Sequence, residues 1–189
     1  MTNEEMTYAL LKGGKHWAEI CRTQGDTNDF KNSELTEAQL SDRDLAGFDF
    51  SGSDFFKANM QKTNLKKSKF VGADLTHASL QEAALYKANF LDAVLQEAKL
   101  NGADLSSSNC QGADFRGATL TDVNFESADL RGANFSHADL RGANLSGADI
   151  TGAKFHFTRI DDANITHTEY GSVKDMVGLY YGIRGIDST

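Results

Sequence analysis

Proline is absent from the 189 residues, and with it the usual composition of a disordered linker. Tryptophan occurs once, at Trp17, and cysteine twice, at Cys21 and Cys110. Two cysteines so far apart make no disulfide framework and match no metal-ligand spacing, so a reducing compartment, the cytoplasm, is expected. Positive charge is in deficit: 19 Lys and Arg against 27 Asp and Glu give a formal net charge of -8. That sign excludes the basic footprint of a direct nucleic-acid binder and is compatible with a basic partner. No apolar run approaches the ~20 residues of a membrane helix, so no membrane partner is expected. The N-terminus, MTNEEMTYALLKGGKHW, is acidic first and has no sustained apolar core, unlike a secretory signal.

What the chain has in abundance is a period of five. Residues 111–150 read QGADF RGATL TDVNF ESADL RGANF SHADL RGANL SGADI. The 28 positions from 35 to 170 at this spacing hold fourteen Leu, eight Phe, three Ile, Met60, Cys110 and Tyr170. Two residues before each of these, positions 33 to 168 hold eighteen Ala, four Ser, three Thr and Val123; only Arg43 and Phe48 are large. Phe30 fits the same phase, and the phase never slips.

A period of five fits no single regular element. An amphipathic helix repeats its apolar face every 3.6 residues and a strand every second residue. The small and large positions, two apart, share a face of an extended segment, but every fifth residue of a straight strand would alternate faces. The chain must therefore turn at each repeat so that every small–large pair meets one interior. A coil of short turned segments stacked on itself achieves this, with neighbours burying a continuous core.

The motif A-(D/N)-(L/F)-x-x, as in Ala128-Asp129-Leu130-Arg131-Gly132, resembles the pentapeptide-repeat family over roughly three-quarters of the chain. The resemblance implies an all-β solenoid, a right-handed quadrilateral β-helix of about seven coils with four repeats per coil and short helical caps at both ends. The large residue and the alanine would point inward and the other three positions outward. Four repeats per coil make residue i+20 the vertical neighbour of residue i. Read in twenties, Phe30, Phe50, Phe70 and Phe90 fall on one face and Phe115, Phe135 and Phe155 on the next. Two phenylalanine stacks are thus predicted, switching near Cys110, in a shaft roughly 34 Å long at the usual sheet spacing.

Three segments follow: an N-terminal helical cap over 1–27, the repeats over 28–171, and a C-terminal helical cap over 172–189. Leu10, Leu11, Trp17 and Ile20 suit a plug over the first coil, since a bare solenoid end exposes core and unpaired backbone. Ser172 and Asp175 resemble a helix-capping pair, and Val173, Met176, Val177 and Leu179 suit the last coil. The ending YYGIRGIDST has no evident stop signal, which suggests a fragment of a longer protein. In several members of the family the C-terminal cap makes a homodimer, a role that Tyr180 and Tyr181 would fit.

No catalytic constellation emerges, and no enzyme activity or cofactor is expected. Catalysis needs a pocket with converging polar groups, and an interior of Leu and Phe offers none. His77 and His137 share a column but stand three coils apart, about 14 Å at sheet spacing; the residues between are Glu97 and Gly117. The recurrent glycines serve backbone conformation, not phosphate contact.

Two surface features remain. Acidic residues recur just before the large residue, at Asp49, Asp54, Asp74, Asp104, Asp114, Asp129, Asp139 and Asp149. Some members of the family, the quinolone-resistance proteins, resemble duplex DNA and bind DNA gyrase, so one reading is a DNA-mimicking modulator of a type II topoisomerase. Against it stand a basic cluster at Lys57, Lys62, Lys66, Lys67 and Lys69, the arginines Arg116, Arg131 and Arg141, and a phase without room for projecting loops. The second feature is apolar: Val71, Tyr86, Leu91 and Val94 hold outward positions, with Ala84 nearby. Contiguous patches of this kind mark contact sites. The leading expectation is a non-catalytic scaffold or adaptor that binds a protein partner there, on its flat faces or at its caps.

Overall fold

The computed structural model describes residues 28–170. Both expected caps, over 1–27 and 172–189, lie outside these residues, and with them Trp17, Cys21, Tyr180 and Tyr181.

Parallel bridges join residue i to residue i+20 without interruption, from Asp29–Asp49 to Asp149–Glu169. One bridge forms per repeat, so each coil meets the next once on each of four faces. We number the faces by their inward residue: face 1 carries Phe30, face 2 Leu35, face 3 Leu40 and face 4 Leu45.

The backbone amides of each repeat find partners in a fixed scheme. The N–H of the large residue, the N–H two residues later and the N–H just before it bond neighbouring coils, as in Phe50 to Lys69, Gly52 to Val71 and Asp49 to Asn28, at 2.7–2.9 Å. The small residue donates across a turn to the preceding large one, as Ala73 does to Phe70 at 3.1 Å. The fifth N–H is met by a side chain wherever Asp or Asn stands before the large residue. Each Asp or Asn before a large residue, from Asp29 to Asn164, accepts the N–H two residues on through its Oδ1. Such Asx turns are a standard device for satisfying a turn locally.

Each turn also requires one left-handed residue. Every position from Asn32 to His167 in the phase of Gly47 has a φ between 54° and 75°. Glycine adopts this conformation without a Cβ penalty, which accounts for the recurrent Gly; Lys, Glu, Asp, Ser and His, with Asn32 and Phe157, fill the remaining turns.

The interior is solid. Nearly every large residue from Phe30 to Ile160 is 0–2% exposed, and so is nearly every alanine of the small position. On face 1 the rings of Phe30, Phe50, Phe70 and Phe90 follow one another at 5.6, 5.4 and 4.9 Å, the interplanar angle closing from 36° to 5°. On face 2 Phe115, Phe135 and Phe155 stack at 5.0 and 5.2 Å, within 8° of parallel. Cys110 continues the first column as a small buried residue, while Phe125 on face 4 sets its edge against Phe115 and Phe135 at 5.8 and 6.0 Å. The small residue on one face and the ring reaching across from the opposite wall keep the section filled at interior density. Phe48, at a small-residue position, is also fully buried and stacks on Phe30 at 5.4 Å. Arg43 is half-buried, and burial draws its guanidinium pKa down.

At four of the buried positions where serine or threonine replaces alanine, the hydroxyl reaches a turn of the neighbouring coil, while Ser108 turns to Cys110 Sγ. Ser53, Thr63, Ser68 and Thr158 donate to the carbonyls of Phe30, Leu40, Leu45 and Phe135 at 2.7–3.0 Å. Each of these four hydroxyls is thus hydrogen-bonded, which removes most of the cost of burying it.

Candidate functional site

Among the described residues the interior is filled, and the side chains open to contact are those of the outer columns. Val71 and Leu91 stand one coil apart at the corner between faces 1 and 2, where the N–H of Gly72 meets the carbonyl of Leu91 at 2.9 Å. Val94 follows on face 2, bridged to Asp74 and Asp114. Tyr86 lies at the preceding corner, between faces 4 and 1, in the column of Lys66 and Ser106. The register therefore groups Val71, Leu91 and Val94 and sets Tyr86 across face 1 from them. All four are half-buried.

The large apolar side chains most open to solvent are elsewhere among the described residues. Phe157 is 80% exposed and Tyr170 51%. Phe157 occupies a left-handed turn position, φ 56°, and its ring stacks on His137 at 5.1 Å. Its exposure was readable from phase alone, since every residue at that position points outward. Phe56 is half-buried, edge-on to His77 at 5.6 Å and under the Lys57 ammonium at 5.0 Å.

The eight recurrent aspartates each serve an Asx turn, and several are also neutralised. Arg116, Arg131 and Arg141 fold back onto Asp114, Asp129 and Asp139 at 2.6–2.7 Å, and Arg131 also reaches Asp149 at 3.6 Å. Asp49 lies between Lys31 and Lys69 at 3.6 and 3.2 Å. Arg131 and Arg141 hold the carboxyls of Asp129 and Asp139 below the usual range, against a smaller upward push from burial. At Asp49 and Asp114 burial is the largest influence and pushes upward. Their hydrogen bonds, led by Ser51 and Arg116, outweigh it, and both carboxyls end below the usual range.

The early lysines separate. Lys62 faces Glu82 at 3.7 Å, Lys69 belongs to Asp49 and Lys57 to the Phe56 ring. Lys66 and Lys67 instead join Lys87, one coil on, whose ammonium sits 5.1 Å from the Tyr86 ring centroid.

Burial pushes the Cys110 thiol up to about 12, and Ser108 Oγ lies 3.3 Å from its sulfur; the thiolate needed for reactivity is suppressed. His77 approaches Glu97 at 3.5 Å. Among the described residues no three metal-ligating side chains converge, and no helix is long and apolar enough to cross a membrane.

Comparison with solved structures finds the same architecture elsewhere. The chain resembles HetL, a pentapeptide repeat protein involved in heterocyst differentiation regulation from the cyanobacterium Nostoc sp. strain PCC 7120, with a TM-score of 0.59 and 25% identity over 80% of this chain and 91% of that one. It also resembles trypsin-treated QnrB1, a plasmid-mediated fluoroquinolone resistance protein, with a TM-score of 0.57 and 18% identity over 84% of this chain and 90% of that one, a likeness of fold. No curated protein matches. Such neighbours are right-handed quadrilateral β-helices. The model of pentapeptide repeats matches residues 33–72, 68–106, 98–136, 108–147 and 128–166, and with the in-phase small–large pairs and left-handed turns this establishes that the chain belongs to the pentapeptide-repeat family.

Proposed function

We propose that this protein is a non-catalytic interaction scaffold: a cytoplasmic β-helix of about seven coils, closed by helical caps over 1–27 and 172–189. It binds a protein partner through its outer columns, and its C-terminal cap supports a homodimer. The observation that carries this reading is the filled interior, with Phe30, Phe70, Phe115 and Phe135 all 0% exposed. Binding sites of enzymes are concave and converge polar groups, whereas here the side chains on offer stand outward at fixed spacing. Val71, Leu91 and Val94, with Tyr86 across face 1, are the apolar contact surface.

The gyrase-directed reading is weaker on this surface. A DNA mimic needs unpaired negative charge in regular columns, yet Asp49, Asp114, Asp129, Asp139 and Asp149 lie against Lys or Arg.

The test is affinity capture from lysate of the source organism with the full chain and with Leu91→Asp/Val94→Asp. One dominant protein, retained by the parent and lost from the folded variant, supports the reading. Equal recovery by both, or a measurable effect of the parent on gyrase supercoiling, overturns it.

A further inference from the structure

Acidic residues follow one another up several outer columns, as at Glu34–Asp54–Asp74 and Asp129–Asp149–Glu169, but a Lys or Arg generally stands over or under an acidic or neutral residue. Lys62 stands under Glu82 at 3.7 Å, Asp49 under Lys69 at 3.2 Å and Asp139 under Arg159 at 3.3 Å. One corner breaks the rule. Lys67 stands directly under Lys87 between faces 4 and 1, and the Lys67 N–H bonds the Tyr86 carbonyl at 2.9 Å. Among the described residues this is the one column where two Lys or Arg residues are vertical neighbours. Lys66, beside Lys67, lies under Tyr86.

The corner has no internal counter-charge. The two stretches that build it, NLKKSK at 64–69 and ALYKAN at 84–89, contain no acidic residue. Lys69 is already engaged by Asp49. Lys66, Lys67 and Lys87 are exposed, and no described carboxylate pairs with them. Lys67 and Lys87 also hold left-handed turn positions, φ 60° and 58°, which glycine fills at Gly47 in the same column. Like charges set one above the other repel, and an external anion relieves that repulsion.

We propose that the Lys66–Lys67–Lys87 corner binds an acidic segment of the protein partner, with the Tyr86 ring as its apolar rest; this builds on the scaffold reading above. The chemistry favours a short acidic peptide over a nucleic acid. The chain as a whole carries -8, so a long polyanion that follows the corner runs on into repulsion from the rest of the surface. At physiological salt the field of a charge fades over about 8 Å, so a short run of carboxylates held at the corner feels chiefly the lysines. Tyr86 is half-buried with the Lys87 ammonium near its face. Across face 1, Val71 and Leu91 offer an apolar edge for residues flanking the acids. The partner's segment should therefore combine two or three neighbouring Asp or Glu with a large apolar residue.

The test is fluorescence anisotropy of the full chain with a labelled short peptide of three glutamates followed by a leucine, with a short DNA duplex as the alternative. The expected result is binding of the glutamate peptide alone, weakening as salt rises from about 0.05 to about 0.3 M. Lys66→Glu/Lys67→Glu/Lys87→Glu should weaken it by roughly tenfold or more, with an unchanged far-ultraviolet dichroism spectrum. Lys99→Glu/Lys154→Glu, which reverses exposed lysines elsewhere, should leave it unchanged. Absence of glutamate binding, equal loss in both variants, or duplex binding at the same corner overturns the proposal. A triple variant that loses the peptide yet captures the parent's partner sinks this inference and leaves the scaffold reading standing. Loss of capture by Leu91→Asp/Val94→Asp with peptide binding retained sustains both.

Discussion

Phe135 gives the sharpest test of the packing. Its ring is fully buried, lies 5.0 Å above Phe115 and 5.2 Å below Phe155, and receives the edge of Phe125 at 6.0 Å. Truncation to alanine removes the buried ring and leaves a cavity that rigid neighbouring coils close poorly, costing about 3–5 kcal/mol. Phe135→Leu separates two contributions. Leucine is the commonest large inward residue of this chain and keeps most of the apolar burial, so its cost is mainly the two stacked pairs, about 0.5–1.5 kcal/mol each. The same change at Phe90, the end of the first column with only Phe70 stacked on it at 4.9 Å, removes one pair. Guanidinium unfolding followed by dichroism should therefore rank Phe135→Ala as most destabilised, then Phe135→Leu, then Phe90→Leu. A Phe135→Leu cost at or below that of Phe90→Leu would refute the claim that ring-on-ring contact stabilises the shaft beyond simple burial.

Cys110, with its thiol pushed up to about 12 by burial, should resist iodoacetamide in the folded protein at pH 8. In a Cys21→Ser background, mass spectrometry should show alkylation only after denaturation. Cys110→Phe should not extend the first stack. That coil already holds Phe115 and Phe125, and overpacking costs about 1–3 kcal/mol, read as a lower guanidinium midpoint. Asp139→Asn keeps the acceptor for the Arg141 N–H and loses only exposed ion pairs, so its unfolding free energy should change by less than about 1 kcal/mol. Asp139→Ala also removes the turn acceptor and should cost about 1 kcal/mol more. The carboxyls of Asp129 and Asp139 are held down by Arg131 and Arg141. The unfolded chain therefore takes up their protons first, and their contribution is full above the ordinary aspartate value of about 3.9 and lost as pH falls through the folded values. Midpoints should be level near neutrality and fall below about pH 4; a rise on acidification would contradict this sign.

The period and the inward phase are legible in the sequence because each inward side chain meets the same demand in every coil. A large residue at one position and a small one two before it fill the section, and in phase they leave few alternatives. The turn chemistry is legible in outline only. Recurrent Asp suggests acidic columns, but the interchange of Asp with Asn along one position is the better clue. Both supply Oδ1 to the amide two residues on, and that role does not depend on charge. Phe48 is where the pattern misleads. The phase marks its position as inward, but nothing local says that a ring fits where alanine is usual, and the room beside Phe30 admits it. The apolar surface is legible residue by residue and not as a group. Tyr86 and Leu91, five apart in sequence, occupy successive corners, whereas Val71 and Leu91, twenty apart, adjoin. Lys67 and Lys87 were separable from the other lysines only by reading in twenties, since a linear count places Lys66, Lys67 and Lys69 together and leaves Lys87 apart.

The twenty-residue register also makes the shaft a clock. Insertion or deletion of a full twenty residues would lengthen or shorten it and leave every outer column facing as before. A single added repeat is a quarter of a winding, so it would rotate all that follows by one face. Placed between Lys69 and Ala84, it would carry Lys87 off the column of Lys67 and onto that of Asp92, and would do so without changing one residue of the core. Relatives whose lengths differ by one repeat thus present differently clocked surfaces, and their binding sites align in space only when counted from the same side of the insertion.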